Sequence, residues 1–525
     1  MAAVLSAIFA LTAASGCKEK KGHQNLSKDE KGVYYTDSDG NKVYKVVMMD
    51  HGVALTSDTF KYRDEVMEKI NEKLLKDLGY KVDIDVEIYS DDTFADKLAT
   101  KLSDGDQLDL VRQVNRDNLT SYVSQGIAKK ITSYVNASAE MKASLPEKIF
   151  DEVTYNGEIY AIPLDKLPLN TAIFVRGDLV KKAGLTSLDT IADWETFFQK
   201  VIAGGTEYLN SRLSTFPLMG SFSSLEEMFY NAYSEHAGNF MSGGSIRPKY
   251  FDAGYKQFVL KMREWIRNEY IDDKGVFNFN EFGCNTTLSN QVTAAIASGI
   301  YLLEFGALRS VEKTHKEWEI TSFLPVASPS GSYRSDGLMG EFMFVPYSAK
   351  SAGVAVELMN WMLYNKENYM LVRCGIEGKT YVVGDDNSID IPEAEKTNKV
   401  TAVSDLIGKL MIGTSVEYNM GYPASDCPDG ARKAYADSLA VSSDKLYVDP
   451  LVYVSDKLSD SERSVLASAD KNAAIVVQNL LTRNKDGSFK IADGDFDATW
   501  NKMVSDYSAV SVYDKLTAEY NKLFS

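Results

Sequence analysis

The sequence predicts an α/β protein with more than one domain, and three observations support this. The chain has 525 residues, which is too long for one compact core. Its composition, 44% hydrophobic and 25% charged, is that of a folded globular protein and excludes extensive disorder. Between residues 43 and 111, strand and helix patterns alternate. That order predicts a parallel sheet covered by helices.

The alternation is visible in the spacing of apolar residues. The apolar run Val43–Met49 predicts a buried strand. Residues Phe60–Leu78 carry apolar side chains at helical spacing, and Gly79 ends the pattern. Apolar and charged residues then alternate strictly over Val82–Ile88, which predicts a half-buried strand. A second helical stripe and a third strand, Leu108–Val111, follow.

A short hairpin is predicted further along the chain. Asn156-Gly157 suits a type I′ turn, because both central positions need positive φ. The residues on either side, Thr154-Tyr155 and Ile159–Ile162, form its strands. Pro163 removes a backbone donor, so the chain either leaves the sheet there or runs along its edge.

Three stretches, in order, resemble motifs of extracellular solute-binding proteins, family 1, the sugar-type binding components of ABC importers. They are Phe94–Val111 (FADKLATKLSDGDQLDLV), Tyr155–Pro163 (YNGEIYAIP) and Cys374–Tyr381 (CGIEGKTY). In the first, Gln107-Leu108 replaces the usual residue–proline pair. The resemblance covers about residues 43–525. It implies a two-lobed, periplasmic-binding-protein-like (type 2) α/β fold, each lobe a mixed sheet flanked by helices, with a helical C-terminal extension.

The resemblance also implies a division of the chain. We expect the lobes to be joined by crossings near 163–168, 325–335 and 395–405. The expected parts are a lipoprotein signal peptide (1–17), a flexible tether (18–42), lobe 1 (43–165 and 335–400) and lobe 2 (166–330 and 401–525).

The first residues predict export and a lipid anchor. Residues 2–14 are almost wholly apolar or small, but too few to span a bilayer, which is typical of a signal-peptide core. Ala14–Cys17 resembles a bacterial lipobox, which implies lipidation of Cys17 and attachment to the cell membrane, facing outside the cytoplasm. No Lys or Arg precedes the apolar run, unlike a typical signal. An N-terminal apolar helix with a chance cysteine is the alternative. Residues 18–42 are polar without hydrophobic period, which predicts a tether.

Several classes of function are disfavoured by composition. A net charge of −17 argues against a nucleic-acid partner. Besides Cys17 the chain has three cysteines, Cys284, Cys374 and Cys427, so at most one disulfide can form among them. Neither the cysteines nor the four scattered histidines have the spacing of a metal site. We therefore predict no metal and no cofactor. The sequence also lacks a GxSxG, HExxH or P-loop motif, so we expect no enzyme activity. We expect a monomer.

Candidate ligand-binding residues come from strand ends and from the resemblance. Ligands of open α/β sheets bind at the carboxyl ends of strands. Carboxylate, amide and guanidinium groups can form bidentate hydrogen bonds with adjacent sugar hydroxyls, and aromatic rings stack on sugar faces. For each residue, a capping or solvated role is an equal alternative. The candidates are Asp50, His51, Arg112, Asn115, Arg176, Tyr230, Glu304, Arg309, Glu341 and Tyr422.

The resemblance implies a membrane-anchored receptor that captures a carbohydrate, expected to be an oligosaccharide, by closure of two lobes and delivers it to ABC permease subunits. A secreted carbohydrate-active enzyme is one alternative, but it needs two carboxylates about 5–9 Å apart, and no motif pairs them. A surface adhesin lipoprotein is another. Polyuronide, mannan-type and peptide-like solutes all stay open.

Overall fold

The computed structural model of the protein describes residues 26–53, 60–114, 118–165, 167–205, 216–279, 294–300, 311, 314–335, 337–384, 389–397, 399–400, 402–413 and 429–524.

Strands and helices alternate along the described chain. The strands are β1 (Ser27–Lys28), β2 (Val33–Thr36), β3 (Lys42–His51), β4 (Lys81–Tyr89), β5 (Leu110–Gln113), β6 (Thr154–Tyr155), β7 (Glu158–Ile159), β8 (Ala161–Asp165), β9 (Thr171–Val175), β10 (Leu218–Met219), β11 (Phe240–Ser242), β12 (Ser245–Arg247), β13 (Ala295–Gly299), β14 (Thr321–Phe323), β15 (Tyr333–Ser335), β16 (Met339–Phe344), β17 (Val382–Val383), β18 (Ile389–Asp390) and β19 (Leu446–Val448). The α-helices are α1 (Arg63–Leu78), α2 (Asp91–Asp104), α3 (Asn118–Ser124), α4 (Thr132–Ala137), α5 (Ala139–Ser144), α6 (Gly177–Lys182), α7 (Ile191–Gly204), α8 (Phe222–Phe229), α9 (Ala253–Arg267), α10 (Gly275–Asn278), α11 (Ala352–Leu363), α12 (Lys366–Cys374), α13 (Val403–Ile407), α14 (Asp429–Leu439), α15 (Asp460–Leu481), α16 (Phe496–Ser505) and α17 (Val510–Phe524).

The first lobe is a mixed sheet with helices packed on it. Its strand order is β1-β2-β3-β5-β16-β8, and β4 also pairs with β3. Strands β3, β4 and β5 are parallel, whereas β16 is antiparallel to both β5 and β8. The apolar stripe Val66, Ile70 and Leu74 buries α1 against this sheet, and the helix ends at Gly79 with φ 79°. The predicted strand–helix–strand order is confirmed.

A buried carboxylate, that of Asp109, joins the elements of lobe 1. Its Oδ1 accepts the backbone N–H groups of Lys350 and Ser351, at 2.8 and 2.6 Å, immediately before α11. Its Oδ2 accepts the N–H of Val47 in β3 at 3.0 Å and the Gln107 side chain at 2.7 Å. Asp109 is fully buried. Gln107 belongs to the pair Gln107-Leu108 that replaces the family's residue–proline pair, and its side chain supplies one of these hydrogen bonds.

The predicted hairpin is confirmed. Asn156 and Gly157 have φ of 52° and 76°, and β6 and β7 pair antiparallel around them. Pro163 lies in β8, which ends the strand order of the sheet, so its missing donor leaves no ladder bond unmade.

The second lobe has its own sheet and core. The strand order is β10-β13-β9-β14, and all of β9 is buried. Trp194 and Trp265 lie at the centre of this core, where Trp265 is edge-on to Phe198. Helices α15, α16 and α17 bury Leu480, Trp500 and Leu516 in the same core, so the C-terminal extension is part of lobe 2.

Strand β13 lies in a run where the sequence predicts a helix. The pattern from Leu288 predicts a helix followed by a strand at Ile300–Leu303, whereas Ala295–Gly299 already form β13; residues 301–303 of the predicted strand lie outside the described residues. The small residues of β13 fit between β9 and β10, to which it is hydrogen-bonded on both sides. Tertiary packing thus overrides the helix propensity of this small, alanine-containing run.

The predicted tether differs from the structure in its second half. Residues 27–36 contain β1 and β2, which extend the lobe 1 sheet because β2 pairs antiparallel with β3 and β1 pairs antiparallel with β2. Asp29 holds this edge, because its Oδ2 accepts Lys42 Nζ and the Tyr44 hydroxyl, each at 2.6 Å. Burial opposes the charge of Asp29, but these bonds outweigh it and lower its pKa to about 2.

The chain crosses between the lobes at three places. The first crossing runs from β8 to β9 and the second from β14 to β16. Ile412 belongs to the core of lobe 1 and Ala431 to a cluster with β9, so the third crossing falls between them. The predicted position, 395–405, is too early, because Leu406–Ile412 packs in lobe 1. The other domain boundaries remain predictions.

We predict that Asp109→Ala lowers the free energy of unfolding by about 3–5 kcal/mol, because four donors lose their acceptor in a dry site. Chemical denaturation monitored by tryptophan fluorescence measures this. Glu72→Ala is the control, since its carboxylate is 58% exposed and pairs with Lys69 on the helix surface. A cost for Asp109→Ala no larger than that of the control would contradict the assigned role.

Candidate ligand cleft

The candidate residues of lobe 1 lie at one edge of its sheet. Strands β3, β4 and β5 are parallel, so their carboxyl ends, which include His51 and Gln113, share this edge. Strand β16 runs the other way and begins there, opposite the end of β8. Because the chain leaves lobe 1 after β8 and returns before β16, the edge faces the crossings. This is where ligands of open α/β sheets bind.

A cluster of two cations and two carboxylates lies at this edge. Arg112 donates from Nη1 to Asp50 Oδ1 at 2.9 Å and from Nε to Glu341 Oε2 at 2.6 Å. Lys409 forms an ion pair with Asp50 Oδ2. Asp50 is fully buried, whereas Glu341 and Lys409 are 33% and 25% exposed. We call these four residues the charged floor.

The electrostatics of the charged floor favour a fixed arrangement. Burial disfavours the charge of Arg112, yet Asp50 and Glu341 outweigh it and raise the pKa of the guanidinium. Each charge is therefore held by a partner before any ligand arrives. Arg112 contacts the two carboxylates through Nε, Nη1 and Nη2, which leaves further N–H groups without a partner among the described residues. Glu341 Oε1 likewise has no hydrogen-bond partner among them. The floor can both donate and accept.

His51 lies next to the floor and lines a cavity of about 250 Å³. Its ring stacks on Phe94, with centroids 3.5 Å apart, and its Nδ1 lies 2.8 Å from the Asp91 carboxylate. A carboxylate accepts hydrogen bonds, so Nδ1 carries the proton. Its Nε2 is buried without a partner among the described residues. Lys409 and Arg373 line the same cavity.

Lobe 2 presents backbone and hydroxyl groups at the corresponding edge. Strand β13 ends at Gly299 opposite Thr171, the first residue of β9, so both lie next to the first crossing. Thr171 donates its hydroxyl to Glu227, and both line a cavity of about 80 Å³. Strand β10 ends in Gly220 and Ser221, and a Cβ at Gly220 would lie 2.9 Å from Ala297. The glycine therefore allows close packing there.

A family model described as bacterial extracellular solute-binding protein matches residues 65–372. The chain belongs to this family. It is a family of binding proteins, so the prediction that the chain is not an enzyme is confirmed. No curated protein sequence matches significantly.

Solved structures of solute-binding proteins share the fold. The N-glycan transport solute-binding protein NgtS of Streptococcus pneumoniae is 14% identical with a TM-score of 0.58, over 91% of this chain and 98% of that one. An HMO-binding, ABC-transporter-associated solute-binding protein of Bifidobacterium longum infantis is 15% identical with a TM-score of 0.59, over 91% and 99%. The sugar-binding protein MalE of Xanthomonas citri is 13% identical with a TM-score of 0.52, over 91% and 99%. At these identities the likeness shows the fold, which confirms the predicted two-lobed class.

Two of the predicted site residues of this solute-binding protein lie away from the cleft edge. Arg176 follows the other end of β9, where it pairs with Asp178 at 2.8 Å and stacks over Trp318 at 4.1 Å. Tyr230 is 1% exposed in the core of lobe 2 and donates to Asp252 at 2.6 Å. We therefore leave both out of the proposed site. Cys17, Asn115, Glu304, Arg309 and Tyr422 lie outside the described residues.

Lys409 is the floor residue that sequence reasoning missed. It was assigned to lobe 2 because the boundary was placed at 401. A signal was present, since Lys409 is the single charge in the apolar run 406–412. A lone charge in a buried segment needs a partner, and here that partner is Asp50.

The described residues contain no group of three or more His, Cys, Asp or Glu side chains placed to hold a metal ion. No helix among them is long and apolar enough to cross a membrane.

We predict that Arg112→Met lowers the free energy of unfolding by about 3 kcal/mol, because it removes a partner of the buried Asp50. The double variant with Asp50→Asn should cost at least about 1 kcal/mol less than the sum of the single changes. Thermal and chemical denaturation of the wild type, the two single variants and the double variant give the double-mutant cycle. The control is Arg267→Met, whose guanidinium is 50% exposed and pairs with Asp493. Additive costs would show that the floor residues do not depend on one another.

Proposed function

We propose that the protein is the membrane-anchored solute-binding component of an ABC importer, and that it captures an oligosaccharide between its lobes and delivers it to permease subunits. The observation that carries the proposal is the charged floor, which lies at the edge facing the crossings. Family membership supports solute binding. The structural neighbours, which include an N-glycan transport protein and an HMO-binding protein, support a carbohydrate as the solute.

Closure of the lobes is supported by how the crossings are held. In the first, Leu169 exchanges two hydrogen bonds, of 3.0 and 2.8 Å, with the Ser438 hydroxyl in α14. In the second, Asp449 N–H donates to Ser335 O at 3.0 Å, and Leu338 N–H donates to Glu152 Oε1 at 2.8 Å. Each crossing is fixed close to its lobe, so bending is confined to a few residues. Such short hinges are typical of domain closure around a ligand.

The lipid anchor and the membrane location rest on sequence. The Ala14–Cys17 stretch supports lipidation of Cys17, and the family is extracellular. From Cys17 to Leu26, the first described residue, a fully extended chain spans at most about 30 Å. Lobe 1, which begins with β1, would therefore lie close to the membrane.

We predict that an oligosaccharide raises the melting temperature and compacts the protein. A ligand at 100 times its dissociation constant stabilises the native state by about 2.7 kcal/mol. A glycan panel screened by thermal shift identifies the ligand, and small-angle scattering then measures the radius of gyration. Arg112→Met should lose the shift, whereas Arg267→Met should keep it. A bound sugar with an unchanged radius would contradict closure, and a panel without any shift would contradict carbohydrate binding.

We predict that Cys17→Ser moves the full-length protein from the membrane fraction to the soluble fraction of the bacterial host. The thiol is the group that would carry the lipid, and serine cannot replace it. Cell fractionation and incorporation of labelled fatty acid measure the change, with Cys374→Ser as the control because Cys374 is buried. Equal membrane association of both variants would show that the protein is held there by something else.

A further inference from the structure

We infer that the ligand of the cleft is an uncharged oligosaccharide, not one that carries uronic or sialic acid groups. The inference rests on the proposed function and names the class of carbohydrate. Notably, sequence alone leaves polyuronides open.

The described charges at the edge balance each other. The bases are Arg112, Lys409 and Arg373, and the acids are Asp50, Glu341 and Asp91. Arg112 and Lys409 are already bound to carboxylates of the same lobe. A polyuronide carries about one negative charge per sugar, and burying each without a cation costs several kcal/mol. Among the described edge bases only Arg373 has no carboxylate partner, which is one cation for the several charges of a polyuronide.

The segments outside the described residues that follow edge residues in sequence carry more acids than bases. They are 54–59, 115–117, 301–310 and 414–428. The first has one acid and no base, the next two have one of each, and the last has two acids and no base. Their formal charge is therefore acidic in total. The whole chain carries −17, which adds a weak repulsion of anions that salt screens beyond about 8 Å.

The hydrogen-bonding groups of the floor also fit hydroxyls better than carboxylates. Glu341 is 33% exposed, and its Oε1 is an acceptor without a partner among the described residues, next to the donors of Arg112. A sugar hydroxyl can donate to Glu341 and accept from Arg112 at the same time. A ligand carboxylate accepts only, so it would be repelled by Glu341. The charged floor thus favours a ligand that presents hydroxyl groups over one that presents a carboxylate.

The test compares matched neutral and acidic glycans on the full chain. Thermal shift and calorimetry are run with lactose and sialyllactose, with manno-, xylo-, malto- and N-acetylglucosamine oligomers, and with oligogalacturonate and oligoalginate, each with and without Ca²⁺. We expect a neutral oligomer to bind and its acidic counterparts to bind at least about tenfold more weakly. Acidic glycans binding as well or better would overturn the inference while leaving carbohydrate binding intact. No binding by any glycan would overturn the proposed function and the inference with it.

A variant tests the role of Glu341 directly. Glu341→Gln removes the repelling charge but keeps an acceptor, so the preference for neutral over acidic glycan should fall by about tenfold. Glu72→Gln is the matched control, because it changes the net charge equally at an exposed pair with Lys69. An equal change in both variants would trace the preference to overall charge. An unchanged preference for neutral glycans in both variants would show that Glu341 does not discriminate between neutral and acidic ligands. Either of these two results would overturn this part of the inference.

Discussion

The cleft depends on the parallel pairing of β3 with β5. Met48 and Met49 pair with Leu110 and Val111, and this register brings Asp50 and Arg112 to the same edge although 62 residues separate them. Asp109 fixes the register, because its carboxylate binds the backbone of Val47 across the two strands. A slip of one residue would turn the Arg112 side chain to the opposite face of the sheet. The charged floor is thus a consequence of strand register.

The C-terminal extension contacts the second crossing as well as packing in the core of lobe 2. Strand β19 pairs in parallel with β15, which lies in the second crossing. Asp449, 4% exposed, accepts three N–H bonds from Asn239 and Leu451. Burial nevertheless raises the pKa of its carboxyl, which Arg334 opposes. Gly337, with φ 103°, lies two residues beyond this fixed stretch, and its conformational freedom makes it a candidate pivot for the proposed closure.

Sequence predicted those features that local patterns determine. The turn at Asn156-Gly157, the helix end at Gly79 and the edge position of Pro163 follow from φ preferences and a missing donor, which are properties of single residues. The β13 position and the lobe to which Leu406–Ile412 belongs depend on which surfaces meet, and periodicity does not carry that information. For the site, Asp50, Arg112 and Glu341 could be named from strand ends. Their pairing with each other and with Lys409 could not, since it requires the register of three strands.

In the proposed function, the charged floor contributes to affinity and selectivity more than to closure. Its ion pairs form within lobe 1, so they are the same whether the lobes are apart or together. A ligand shifts the open–closed equilibrium only through contacts that differ between the two states. Moving that equilibrium from 1:99 to 99:1 needs about 5.5 kcal/mol, which is several hydrogen bonds of about 1 kcal/mol each. In the proposed mechanism, those bonds come from lobe 2 groups that reach a ligand held by Arg112 and Glu341. A ligand long enough to touch both lobes is therefore required for closure, and this favours an oligosaccharide over a single sugar.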